Sequence, residues 1–132
     1  MSTVEVERAT RITGIAPQLL VDNLDRAIAY YCDQLGFAFD FKYEDFYASV
    51  SRDGFAIHLK CAPRLPTERD HRKQNEHLDA YISVSGVRAL FTELQKRGAR
   101  VTSPLQQQPW ACTDFYVEDA DGYVLCFSEL NA

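Results

Sequence analysis

The chain is short of basic charge, of paired cysteines and of long apolar runs. Its 132 residues hold 14 Lys and Arg against 19 Asp and Glu, for a net charge of −5. No basic face is implied, which disfavours a nucleic-acid partner. No apolar run is long enough to cross a bilayer, so no membrane partner is expected. The first residues, Met1-Ser2-Thr3-Val4-Glu5-Val6-Glu7-Arg8, lack the apolar core of a signal peptide, and a cytoplasmic location is expected. Cys32, Cys61, Cys112 and Cys126 include no C-x-x-C pair, so they are read as small buried hydrophobes rather than a disulfide framework.

What is present is a repeated phrase. Asp53-Gly54-Phe55-Ala56-Ile57-His58-Leu59 and Asp121-Gly122-Tyr123-Val124-Leu125-Cys126-Phe127 each place an Asp-Gly turn before an alternating apolar strand. Gly supplies the positive φ such a turn needs, and Asp-Gly between apolar runs signals a hairpin. Two in matching contexts point to a duplicated chain. The hydrophobic fraction of 46% is ordinary for a globular protein, and the whole of 1–132 is expected to form a single domain.

The chain in order repeats strand, helix, strand, strand, strand. Ile12 to Val21 reads as a strand, with Pro17 suited to an edge. Asp22-Asn23 supplies a cap for a helix striped by Leu24, Ala27, Ile28, Tyr31 and Leu35, with Gly36 as its stop. Phe37 to Phe41, Asp45 to Val50 and Phe55 to Cys61 complete the first unit, residues 12–62. Residues 63–77, with two prolines and mixed charges, read as a solvated linker in which His71 and His77 are exposed. The second unit, residues 78–130, has a strand from Leu78 to Val84 and a helix capped by Ser85 and stopped at Gly98. A strand starts over Ala99 to Thr102, a loop spans Pro104 to Pro109, and a closing hairpin runs over Cys112–Val117 and Tyr123–Glu129. The fold class is α+β, two tandem βαβββ modules.

The words Leu20-Val21-Asp22-Asn23-Leu24-Asp25-Arg26-Ala27, Tyr30-Tyr31, Leu35-Gly36-Phe37, Pro109-Trp110 and Asp119-Ala120-Asp121-Gly122-Tyr123 give the chain a family resemblance. It resembles the vicinal oxygen chelate superfamily, which contains glyoxalase I, bleomycin-resistance proteins, fosfomycin-resistance enzymes and extradiol dioxygenases. The resemblance runs from about residue 12 to 129. It implies a curled, cup-like mixed sheet with helices outside, a ligand site within and a homodimer. It also implies four metal-ligand positions on the first and last strands of each module. By position these are Ala16, His58, Asp79 and Cys126. Ala16 has no donor atom, and Gln18 lies one pleat away, about 6–7 Å along the strand.

The expectation is therefore a protein with no metal and no other cofactor. It would sequester an aromatic or cationic small molecule, as the bleomycin-resistance branch does. The candidate ligand-binding residues are Gln18, His58, Lys60, Asp79, Tyr81, Trp110 and Cys126. Strand alternation brings Ser83 and Ser128 to the same face and turns Phe55, Ile57, Leu59, Tyr123, Leu125 and Phe127 toward the helices. Trp110, the only tryptophan, is placed to stack on a flat or cationic ligand. A His58–Asp79 hydrogen bond would make His58 a general-base candidate, whereas Cys126 has no evident activating base. The competing expectation is a metal-dependent lyase, isomerase or dioxygenase.

Overall fold

A computed structural model describes residues 10–63 and 78–131. The expected linker falls almost wholly outside the described residues. The rest is α+β: two four-stranded sheets of identical plan, ordered β1-β4-β3-β2 and β5-β8-β7-β6. In each, the first strand runs parallel to the last and the other pairs are antiparallel. The duplication read from the Asp-Gly phrases is present in the topology.

In the first module β1 is Gln18–Val21, shorter than the expected Ile12–Val21. Pro17 cannot donate to a ladder, but its carbonyl still accepts the His58 N–H at 2.9 Å, so pairing begins one residue later. The helix α1, Leu24–Ala29, starts where Asn23 Oδ1 accepts the Arg26 N–H at 2.9 Å. It then widens into a π-helical turn over Tyr30–Gln34, in which two successive tyrosines are buried. Gly36, at φ +75°, ends it as expected. The strands β2 Ala38–Tyr43, β3 Tyr47–Arg52 and β4 Phe55–Cys61 follow, with Asp53 and Gly54 both at positive φ in the β3–β4 turn. Leu19, Val21, Val50, Ile57 and Leu59 pack beneath α1 against Leu24, Ala27 and Leu35.

The second module differs from expectation at two places. Helix α2, Val87–Lys96, is capped at Gly86, not Ser85. The carboxylate of Glu129 accepts the N–H groups of Gly86 and Val87 at 3.1 and 3.0 Å, doing from a neighbouring strand what a cap hydroxyl would do. β6 runs over Arg100–Gln108, through the segment expected as a loop. It is the edge strand of its sheet, so Pro104 removes no interior bond, and irregular register on both sides of Ser103 absorbs it. β5 Ala80–Ser83, β7 Cys112–Glu118 and β8 Val124–Leu130 complete the sheet. Phe115 stacks on Phe127 and meets Phe91 of α2 edge-on, at centroid distances of 5.3 and 5.1 Å.

The modules are joined by polar contacts from the family-like words. Tyr30 Oη donates to the Glu118 carbonyl at 2.7 Å, and Tyr31 Oη donates to Asp119 Oδ2 at 2.8 Å. Asp121 Oδ1 accepts the Asp22 N–H at 3.0 Å and Arg26 Nη2 at 3.3 Å. Tyr123 Oη donates to the Leu20 carbonyl at 2.6 Å. On the far side Arg52 forms a bidentate pair with Glu93 at 2.9 and 3.0 Å.

Candidate functional site

The face of the first sheet opposite α1 is built by register. Gln18, His58 and Ser49 lie abreast, as do Lys60, Tyr47 and Tyr43 one pleat further on. The outer strand reaches this face through a bulge. Phe39 pairs with Val50 and Phe41 with Ser49, so Asp40 is the extra residue. Without the bulge Phe39 and Phe41 would share a side. With it, Phe41 joins His58 while Phe39 stays on the Val50 side. Asp40 is held by the hydroxyls of Ser49 and Ser51, which donate to it at 2.8 and 2.6 Å.

The result is an open aromatic wall around one imidazole. His58 meets Phe41 and Tyr47 edge-on at centroid distances of 6.2 and 5.5 Å. Phe46 meets Tyr43 and Tyr47 in the same way. Phe41, Tyr43 and Phe46 remain 47%, 59% and 41% exposed, large apolar rings left at the surface of one face. Through the wall runs a polar chain: Gln18 Nε2 donates to Tyr47 Oη at 3.0 Å, and Tyr47 Oη lies 2.8 Å from His58 Nδ1.

Of the residues singled out from sequence, the structure thus brings Gln18, His58 and Lys60 together. Asp79, Tyr81 and Cys126 belong to the second sheet. Asp79 Oδ2 accepts the Val124 N–H at 2.9 Å, and His58 takes Tyr47 rather than Asp79 as its partner. Tyr81 Oη donates to Ser128 Oγ at 2.8 Å, and Tyr81 is among the residues lining a cleft of about 720 Å³ between the modules, with Pro17, Ile57, Ile82, Leu90 and Phe127. Cys126 is buried beside Tyr81 and Tyr116, and burial pushes its thiol up to about 12, with lesser contributions from Asp114 and Cys112. Trp110 sits 60% exposed in the β6–β7 turn, where Ala111 has φ +67°. Phe55, expected under a helix, is 78% exposed at the start of β4.

Tyr47, Phe41, Tyr43 and Phe46 were not singled out from sequence. The available signal was density: residues 37–47 contain six aromatics.

A metal of the kind the resemblance implies does not suit these donors. Residue 16 offers a methyl group where the first donor is required, the Nδ1 atom of His58 is engaged by Tyr47 Oη, and Asp79 Oδ2 accepts a backbone amide. Among the described residues no three His, Cys, Asp or Glu side chains are grouped to hold an ion. No helix among them is long and apolar enough to cross a membrane.

Comparison with known proteins follows the same lines. The profile described as Glyoxalase/Bleomycin resistance protein/Dioxygenase superfamily matches residues 11–127. No curated protein matches the chain. Among solved structures, TioX from Micromonospora sp. ML1 is 19% identical, covering 89% of this chain and 98% of its own, with a TM-score of 0.69. The bleomycin-binding protein from bleomycin-producing Streptomyces verticillus, complexed with copper(II)-bleomycin, is 20% identical over 93% and 98%, with a TM-score of 0.67. A glyoxalase-related enzyme from Clostridium phytofermentans is 17% identical over 93% and 98%, with a TM-score of 0.75. At these identities the neighbours establish the shared fold. The profile spans nearly the whole chain, and the protein belongs to the glyoxalase/bleomycin resistance protein/dioxygenase superfamily.

Proposed function

We propose that this chain is a small-molecule-binding protein that sequesters an aromatic or cationic ligand on the His58 face, without a catalytic metal. The observation that carries the reading is the exposed wall of Phe41, Tyr43 and Phe46 around a half-buried polar chain. Aromatic faces attract flat rings by stacking and cations through the ring quadrupole. The net charge of −5 adds a weak long-range pull on cations. Bleomycin binding by a structural neighbour of the same fold agrees with this class of ligand. The site is proposed to work in a homodimer, because among the described residues each open sheet ends in edge strands, β1 and β2 or β5 and β6.

The test is titration calorimetry with metal-free bleomycin and with N-methylacridinium as probes, on the native protein and on Phe41→Ala. The native protein should bind at least one probe. Loss of the Phe41 ring should weaken that binding about five- to tenfold, the worth of one aromatic contact. Elemental analysis of protein purified without tag or chelator is the opposing measurement. Stoichiometric zinc, nickel, manganese or iron, with a turnover that chelation abolishes, overturns the proposal in favour of a lyase, isomerase or dioxygenase. Sedimentation equilibrium decides the dimer.

A further inference from the structure

From the donor–acceptor order of the polar chain we infer that His58 reads its ligand as a hydrogen-bond donor, through Nε2–H, and that the site selects flat ligands carrying a carbonyl or other hydrogen-bond acceptor. The inference rests on the binding reading above and specifies what that site recognises.

The order follows from which group of each pair is the better donor. The Gln18 side-chain amide nitrogen, which can only donate, sits 3.0 Å from Tyr47 Oη. A phenol has one proton and accepts through its lone pairs. With Gln18 donating to the oxygen, the Tyr47 proton is free to point at its other neighbour, His58 Nδ1, at 2.8 Å. A neutral imidazole has one N–H and one lone pair. A phenol O–H is a stronger acid than an imidazole N–H and an imidazole nitrogen a stronger base than a phenol oxygen, which favours Tyr47 donating to Nδ1 and the imidazole proton on Nε2. The lone pair a general base or a metal ligand would use is already occupied.

Nε2 has no acceptor among the described residues and is not among their buried unsatisfied atoms. The donor is therefore left to whatever occupies the wall. Its surroundings on that face are the rings of Phe41 and Tyr47, with Ser49 and Lys60 next along the strands. The Ser49 hydroxyl is spent on Asp40. A ligand ring lying against Phe41 that carries an acceptor satisfies the donor. A ring of the same shape without one leaves it facing an apolar surface, and that asymmetry is a source of selectivity.

Two measurements test this. The first needs no ligand. Long-range nitrogen–proton correlation spectra of the 15N-labelled protein near neutral pH give the tautomer of each imidazole, with His58 assigned by its absence in His58→Phe. The Nε2–H form should account for His58 in the native protein, and the Nδ1–H form should gain population in Tyr47→Phe. A native His58 with its proton on Nδ1 overturns the inference.

The second uses matched probes, 9-fluorenone and fluorene, each carrying one quaternary ammonium group. They differ by a single carbonyl oxygen. The native protein should bind the fluorenone three- to tenfold more tightly, the usual net worth of one hydrogen bond. In His58→Phe the two probes should bind equally, whatever their common affinity. Equal binding of the two probes by the native protein overturns the donor assignment while leaving the binding reading intact. Binding of neither overturns the binding reading, and this inference with it.

Discussion

Asp119 is buried and accepts three hydrogen bonds, from Tyr31 Oη at 2.8 Å and from the N–H groups of Asp121 and Tyr123 at 2.8 and 2.9 Å. Burial nevertheless wins, and its carboxyl is pushed up from 3.8 to about 6, the hydrogen bonds opposing the shift. The sign of the pH dependence follows. Between those two values the folded state holds more protons than the unfolded one. The stability due to Asp119 is therefore fully present below about pH 4 and is lost as pH rises through about 6. A displacement of that size corresponds to about 3 kcal/mol. Denaturant midpoints of native protein and Asp119→Asn, measured from pH 4 to 7, should show this slope in the former and not in the latter. Parallel profiles would mean the carboxyl is ionised in the fold throughout. At the same scale, Cys126 should resist iodoacetamide at pH 8 in the folded protein, because its thiolate is scarce and its sulfur enclosed. Peptide mapping should find it modified at least tenfold more slowly than the half-exposed Cys61.

At the scale of elements, sequence periodicity located β4 and the body of α2 closely, since Phe55–Cys61 alternates strictly and Val87, Leu90 and Leu94 keep helical spacing. It missed what depends on neighbours. β6 continues through Pro104 because it lies at a sheet edge, and α2 is capped by Glu129 from forty-odd residues away. The site shows the same limit. His58, Lys60 and Gln18 share a face that alternation alone predicts. The aromatic wall beside them depends on a bulge at Asp40 that no two-residue period reveals. That bulge makes its own prediction. Asp40→Ala removes the acceptor for both Ser49 and Ser51 and should cost about 1 kcal/mol, modest because the carboxylate is exposed. If the bulge positions Phe41, the variant should also bind N-methylacridinium less well, by more than so small a loss of stability explains. Unchanged affinity in a folded Asp40→Ala would show that β2 holds its register without the two hydroxyl bonds.

For the whole molecule, the question is what keeps two similar modules in one arrangement. The buried apolar residues of both modules form one cluster, and polar contacts cross the joint beside it: the Asp119 and Asp121 carboxylates on one side, Arg52–Glu93 on the other. Glu93 also receives Arg97 Nε at 2.9 Å, and Arg52 Nη1 donates to the Leu35 carbonyl at 3.1 Å, so the pair is fixed at both ends. The Arg52 hydrogen bond, above all, holds the Glu93 carboxyl below its usual 4.5. This is the opposite sign to Asp119: stability from Glu93 is present above about 4.5 and is lost as pH falls through its lower folded value. The two groups therefore act in different windows, Asp119 between about 4 and 6 and Glu93 below about 4.5. Both partners of the pair are about a third exposed, so a double-mutant cycle over Arg52→Ala and Glu93→Ala should give a coupling of only about 1 kcal/mol. In Glu93→Gln the loss of stability on acidification below 4.5 should shrink while the Asp119 slope above it stays. If Glu93→Gln flattens both, the two sides of the joint open together, and the modules hold or part as one unit.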